Sequence, residues 1–89
     1  MNTKTKAIKV LVMDSRLAFF DSFAFTPESN HHHSVQEQAF QVYLQRRKTG
    51  ACFRMGFICS ALQVDGFIYS RIEREDGSRE WKKAEGIGC

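Results

Sequence analysis

The chain is predicted to form a single α+β domain, with one helix packed on an antiparallel sheet of four to five strands. Three observations carry this prediction. Residues 35–48 (VQEQAFQVYLQRRK) run without Gly or Pro behind a serine suited to cap a helix. Segments rich in β-branched and aromatic residues lie on both sides of that run. Two Asp-Gly dipeptides, Asp65-Gly66 and Asp76-Gly77, punctuate the downstream half where hairpins must reverse.

The helix is the strongest local signal. Ser34 and Glu37 have the spacing of a capping box: the serine oxygen accepts the amide three residues on, and the glutamate reaches back to the cap amide. Arg46, Arg47 and Lys48 favour the negative end of the helix dipole, and Gly50 stands where a left-handed cap is expected. Val35, Ala39, Val42 and Tyr43 form a sheet-facing stripe. Phe40 and Leu44 widen the apolar arc to about 200°, beyond the roughly 100° that one sheet contact requires. A homodimer through Phe40 and Leu44 is therefore expected, with burial under the histidine loop as the alternative.

The remaining elements follow in order. Residues 7–14 (AIKVLVMD) read as a well-buried strand, and Asp14-Ser15-Arg16 as a turn. Residues 17–25 (LAFFDSFAF) fit a strand with Leu17, Phe19, Phe23 and Phe25 on one face. They also fit a helix with a Phe19, Phe20, Phe23 and Ala24 stripe; the density of phenylalanine favours the strand. Residues 26–33 (TPESNHHH) hold the only proline and form a loop. Residues 51–64 read as a long strand, bent at Gly56, followed by strands over 67–74 and 78–84. Residues 1–6 and 85–89 are expected to be loose ends of the one domain. The order is β-β-α-β-β-β.

Charge decides the register of the last hairpin. A two-residue Asp76-Gly77 loop would set Arg74 against Arg79, Glu73 against Glu80 and Arg71 against Lys82. Each opposed like-charge pair costs up to about 1 kcal/mol. A three-residue Glu75-Asp76-Gly77 loop, with the glycine left-handed, instead pairs Glu73 with Arg79 and Arg71 with Trp81. Ile68, Ile72 and Ala84 then share the expected core face. Phe67, Tyr69, Arg71, Trp81 and Lys83 share the other, an aromatic and basic composition suited to recognition. The competing structural reading packs Trp81 into a second core layer.

Bulk properties narrow the function classes. Eighty-nine residues make one domain, and 43% hydrophobic with 26% charged residues is ordinary for a globular chain. The net charge of +3, from 13 basic and 10 acidic residues spread along the chain, does not by itself demand nucleic acid or an anionic membrane. No stretch approaches the ~20 apolar residues of a membrane span. Cys52, Cys59 and Cys89 include no CxxC. Seven residues apart in one strand, Cys52 and Cys59 would lie roughly 23 Å from each other and could not bridge. Free thiols point to a reducing compartment, so the cytoplasm is expected.

Enzymatic and metal chemistry find little footing. His31, His32 and His33 splay from consecutive loop positions and lack the Cys or His pair that completes a zinc site, so no metal and no cofactor is expected. A small enzyme or ligand-binding domain would need Cys52 or Cys59 beside a loop histidine, or Asp14 paired with Asp21. A cysteine between Ile58 and Ala61 reads better as a small core residue, and Asp14 as a turn residue. There is no GxGxxG, P-loop or GxSxG pattern.

The primary expectation is thus a non-enzymatic binding or regulatory protein, homodimeric and cytoplasmic. Its partner, more readily a protein than a nucleic acid, is expected at Tyr69, Arg71, Trp81 and Lys83. The alternative is a nucleic-acid-binding module using Arg46, Arg47, Lys48, Arg54, Arg79 and Lys82. The interleaved Glu73, Glu75, Asp76, Glu80 and Glu85 count against it.

Overall fold

Val10 and Val12 are wholly buried, and they sit in the middle of the molecule because their strand has a neighbour on each side. The computed structural model describes residues 6–29, 33–50 and 59–84. Its elements are β1 (Ile8–Met13), β2 (Phe19–Phe25), α1 (Val35–Thr49), β3 (Ala61–Val64), β4 (Phe67–Glu73) and β5 (Arg79–Lys83). The five strands make one sheet in the order β2-β1-β3-β4-β5, every pairing antiparallel. The predicted α+β class and element order are as expected. Most of the predicted 51–64 strand, with Cys52, Arg54 and the Gly56 bend, lies outside the described residues, as do His31, His32, Cys89 and all of the predicted loose ends 1–6 and 85–89 except Lys6.

Residues 19–25 are the preferred strand, but their faces differ from a simple alternation. Val12 pairs with Asp21 and Met13 with Phe19, so Phe20 is an extra residue in a β-bulge. Asp21 lies on the helix side by the same alternation as Phe23 and Phe25 and bonds Arg46; the bulge adds Phe20 to that side, where it meets Tyr43 edge-on at 6.1 Å. Phe19 goes the other way and is 57% exposed. It does not share the face of Phe23 and Phe25, which pack on the core.

The turn between β1 and β2 is organised by Asp14. Its Oδ1 accepts the amides of Arg16 at 2.9 Å and Ala18 at 3.0 Å, and Leu17 adopts the left-handed region at φ 63°. These bonds, the one from Ala18 foremost, hold the Asp14 carboxyl below its ordinary range.

The helix is capped at both ends. Ser34 Oγ accepts the Glu37 amide at 3.1 Å, and Gly50, at φ 88°, donates its amide to the Arg47 carbonyl. Glu37, however, aims its carboxylate across the molecule at Arg79 and Trp81. Buried Gln38 fixes the preceding loop: its Oε1 accepts the Glu28 amide at 2.8 Å, and its Nε2 donates to the Glu28 and His33 carbonyls. Phe40 is not a surplus apolar residue. It is 5% exposed and packs on Trp81 with ring centroids 5.3 Å apart, while Leu44 remains 39% exposed. Cover over Phe40 comes from β4 and β5, through Arg71, Arg79 and Trp81.

Both hairpins take the predicted turns. Asp65 (φ 52°) and Gly66 (φ 87°) make a two-residue loop with both residues left-handed, placing Val64 opposite Phe67. Glu75-Asp76-Gly77 closes the second loop with Gly77 at φ 91°, pairing Glu73 with Arg79 and Arg71 with Trp81.

The assignment of faces to that hairpin is corrected. The helix covers the side carrying Tyr69, Arg71 and Trp81, and both aromatics pack against the core. Ile72, 36% exposed, faces away from the helix together with Ile68. Pairing register alone does not say which face a distant helix will cover; α1 decides it.

Candidate functional site

The residues predicted to form a recognition face are largely occupied by the fold itself. Glu37 accepts Arg79 Nε at 3.0 Å and Nη2 at 2.8 Å, and the Trp81 indole N–H at 2.8 Å. Arg79 also bonds Glu73, and its guanidinium lies 4.5 Å above the Phe40 ring. Hydrogen bonding from Arg79 drives the Glu37 carboxyl down to about 2, and the pairing raises Arg79 above its ordinary value. Arg71 donates to the Cys59 carbonyl at 2.8 Å and pairs with Glu73. Lys83 is exposed and sits 4.1 Å over the Phe67 ring. A recess of about 560 Å³ opens beside Glu37, lined also by His33, Ser34 and Arg79. Its charged groups already neutralise each other, which makes it a structural clamp between helix and sheet.

Among the described residues, the predicted phosphate-contacting side chains do not gather on one face, and Arg54 lies outside them. Arg46 makes a two-pronged pair with Asp21 at 2.8 and 2.9 Å and lies 5.3 Å from the Phe23 ring. Arg47 donates to the Tyr43 hydroxyl. Lys48 and Lys82 are exposed, but Lys82 lies on the opposite sheet face from Arg79. Cys59 is buried, bonds the Ala61 carbonyl, and is pushed up to about 11 by that burial, which suits a core thiol rather than a nucleophile. Asp14 and Asp21 each serve a structural bond, and His33 is exposed. Among the described residues, no three His, Cys, Asp or Glu side chains converge to hold a metal, and no helix is long and apolar enough to cross a membrane.

Among the described residues, what the fold leaves open is an edge. β2 and β5 are the two outermost strands of the sheet. β5 reads REWKK, short and charged, with the features that discourage pairing with another chain. β2 reads FFDSFAF, seven residues with one charge, no lysine and no proline, and that single charge is turned inward to Arg46. The Asp65 amide donates to the Lys9 carbonyl, so Lys9, Leu11 and Met13 address β3 while Ile8, Val10 and Val12 address β2. Their partners Phe25, Phe23 and Asp21 are thereby used up, and the peptide groups of Ser22 and Ala24 face outward. Both residues are small and exposed. Phe19 and Leu17, at 57% and 59% exposure, flank the open end of this edge. On its helix side a recess of about 230 Å³ is lined by Phe25, Thr26, Gln38, Gln41 and Val42.

The edge role of residues 19–25 was missed because strand order is non-local; the signal available was a seven-residue apolar run guarded by no lysine or proline. Comparison with protein-family models, curated proteins and solved structures finds no match to this chain.

Proposed function

We propose that the protein is a small non-enzymatic binding protein that engages a protein partner by strand addition along β2. The observation that supports this reading is the contrast between a charged, blunted β5 edge and an apolar β2 edge whose Ser22 and Ala24 peptide groups face outward. In strand addition, main-chain hydrogen bonds supply affinity and pockets for alternate side chains supply specificity. The recess beside Phe25 and Val42 is placed to take one such side chain.

Panning a random peptide library displayed on phage against the immobilised protein tests this. The expected binders are extended peptides rich in β-branched and aromatic residues. Their affinity should vary little with salt and fall at least about tenfold on Ala24→Pro. The Ala24 amide faces away from β1, so proline there removes an outward donor and spares the internal ladder. Binders that keep their affinity on Ala24→Pro would refute the reading. The nucleic-acid alternative requires Arg46 and Arg79 to give up Asp21 and Glu37; a steep loss of affinity for mixed-sequence RNA with added salt would favour it.

A further inference from the structure

Taking β2 as the binding edge, we infer that the partner it fits is a second copy of this chain, joined β2 to β2 in antiparallel fashion about a two-fold axis through Phe23. The inference rests on the strand-addition reading and adds the identity of the occupant. An isologous contact requires a patch complementary to itself, and β2 meets that requirement in one register. A two-fold at Phe23 sets Ser22 of each copy opposite Ala24 of the other. These are the residues whose amides and carbonyls face outward, so two reciprocal hydrogen-bonded pairs form without touching the bulge at Phe20. Phe23 then faces its own counterpart on the helix side, beside the Arg46 guanidinium. Asp21 faces Phe25 rather than the second Asp21, so no carboxylates oppose each other across the seam.

The same operation on β5 behaves differently. A two-fold at Trp81 would set Arg79 against Lys83 twice, like charges that destabilise strand pairing, and Glu80 against Lys82 twice, opposite charges that offset them. The β2 edge therefore pairs with itself without opposed charges, whereas β5 would bring eight charged side chains into its seam. Joining two copies through β2 makes one continuous ten-stranded sheet, with both helices on the same face and a β5 at each end. Such an assembly is closed and does not propagate into a fibre.

Light scattering coupled to size exclusion, from low-micromolar to submillimolar concentration, tests the proposal together with amide hydrogen exchange. The expected mass is twice the 10.3 kDa of the chain, with the Ser22 and Ala24 amides protected. Ala24→Pro and Ala24→Lys should both give monomers whose circular dichroism matches the parent, and the outward amides that remain, that of Ser22 in both variants and that of residue 24 in the lysine variant, should exchange freely. Because the lysine variant keeps every backbone donor, it reports edge blocking even where proline disturbs the strand. A monomer at every concentration overturns the proposal. So does a dimer that survives both substitutions, or one in which the Ser22 and Ala24 amides exchange freely. If the chain is monomeric yet binds selected peptides in an Ala24→Pro-sensitive way, the second copy fails and the binding edge stands. If peptide binding is also insensitive, both fail.

Discussion

β5 ends the sheet with Arg79, Glu80, Trp81, Lys82 and Lys83, whereas β2 ends it with four phenylalanines, an alanine, a serine and one aspartate. Both edges are tied to the same helix by a charge-assisted pair. The first turn of α1 holds β5 through Glu37 with Arg79 and Trp81, and its last turns hold β2 through Arg46 with Asp21. What differs is the outer side of each strand. β5 keeps charged side chains along its rim; the only charge of β2 is turned inward, leaving a small-residue backbone at the surface. One helix can therefore anchor two edges of opposite character, and anchoring an edge is a separate matter from guarding it.

The largest expected effect cuts the β5 anchor. Glu37→Ala removes the acceptor of both Arg79 and the indole N–H, leaving a half-buried guanidinium and a donor to find water. A loss of about 3 kcal/mol is expected in urea unfolding, read from Trp81, the only tryptophan. The pH dependence follows from the same group. Its folded value lies near 2, below the ordinary 4.5, so the unfolded chain takes up the proton first as pH falls. The stability from the pair is complete above pH 4.5, declines as pH drops, and is lost once pH passes through about 2. Glu73, lowered chiefly by hydrogen bonding from Arg79, adds to the same acid limb. Glu37→Gln should flatten that limb while sparing an acceptor for Trp81. An unchanged acid profile would show that the clamp is not what anchors β5.

Asp21→Asn makes the matching cut at the other edge, and about 1–2 kcal/mol is expected. Asp21 is well buried, but Arg46 keeps more contact with water than Arg79 does, so its release costs less. A loss as large as that of Glu37→Ala would break the ranking of the two anchors. A change in mass by light scattering would mean that the inward-turned carboxylate also helps hold the β2 seam.

The comparison also shows what could be read from residues alone. The helix was legible because its signals are local: Ser34, the basic last turn and Gly50 all lie within a few residues of the ends they define. The last hairpin was legible because charge made one register far better than its rival, and Glu73 does pair with Arg79. Its faces were not. Ile68 and Ile72 are more apolar than Arg71 and Arg79, so patterning put the core on their side. The helix instead covers the face where paired charges surround Phe40 and Trp81. In β2 Asp21 lies inward by the same alternation as Phe23 and Phe25, but a single extra residue, Phe20, turned Phe19 outward, and a bulge leaves no mark in a hydrophobic pattern. The candidate edge was invisible for a related reason: which strands end a sheet depends on how the helix crossover seats β3 against β1.

The smallest effect is expected at the rim of β5. Lys83 is exposed and its ammonium lies 4.1 Å above the Phe67 ring, itself half in water. A cation over an exposed aromatic is worth about 0.5 kcal/mol, so Lys83→Ala should shift the urea midpoint only slightly. Its larger role, in company with Arg79, is as a charge that a second β5 would have to face. With Lys83 removed, the Arg79 guanidinium still occupies the rim, pinned by Glu37 and unable to swing aside without breaking that pair. The mass by light scattering should accordingly stay where it was. A rise above that mass would show that Lys83 alone kept β5 from pairing, and that the guard on this edge is one side chain deep.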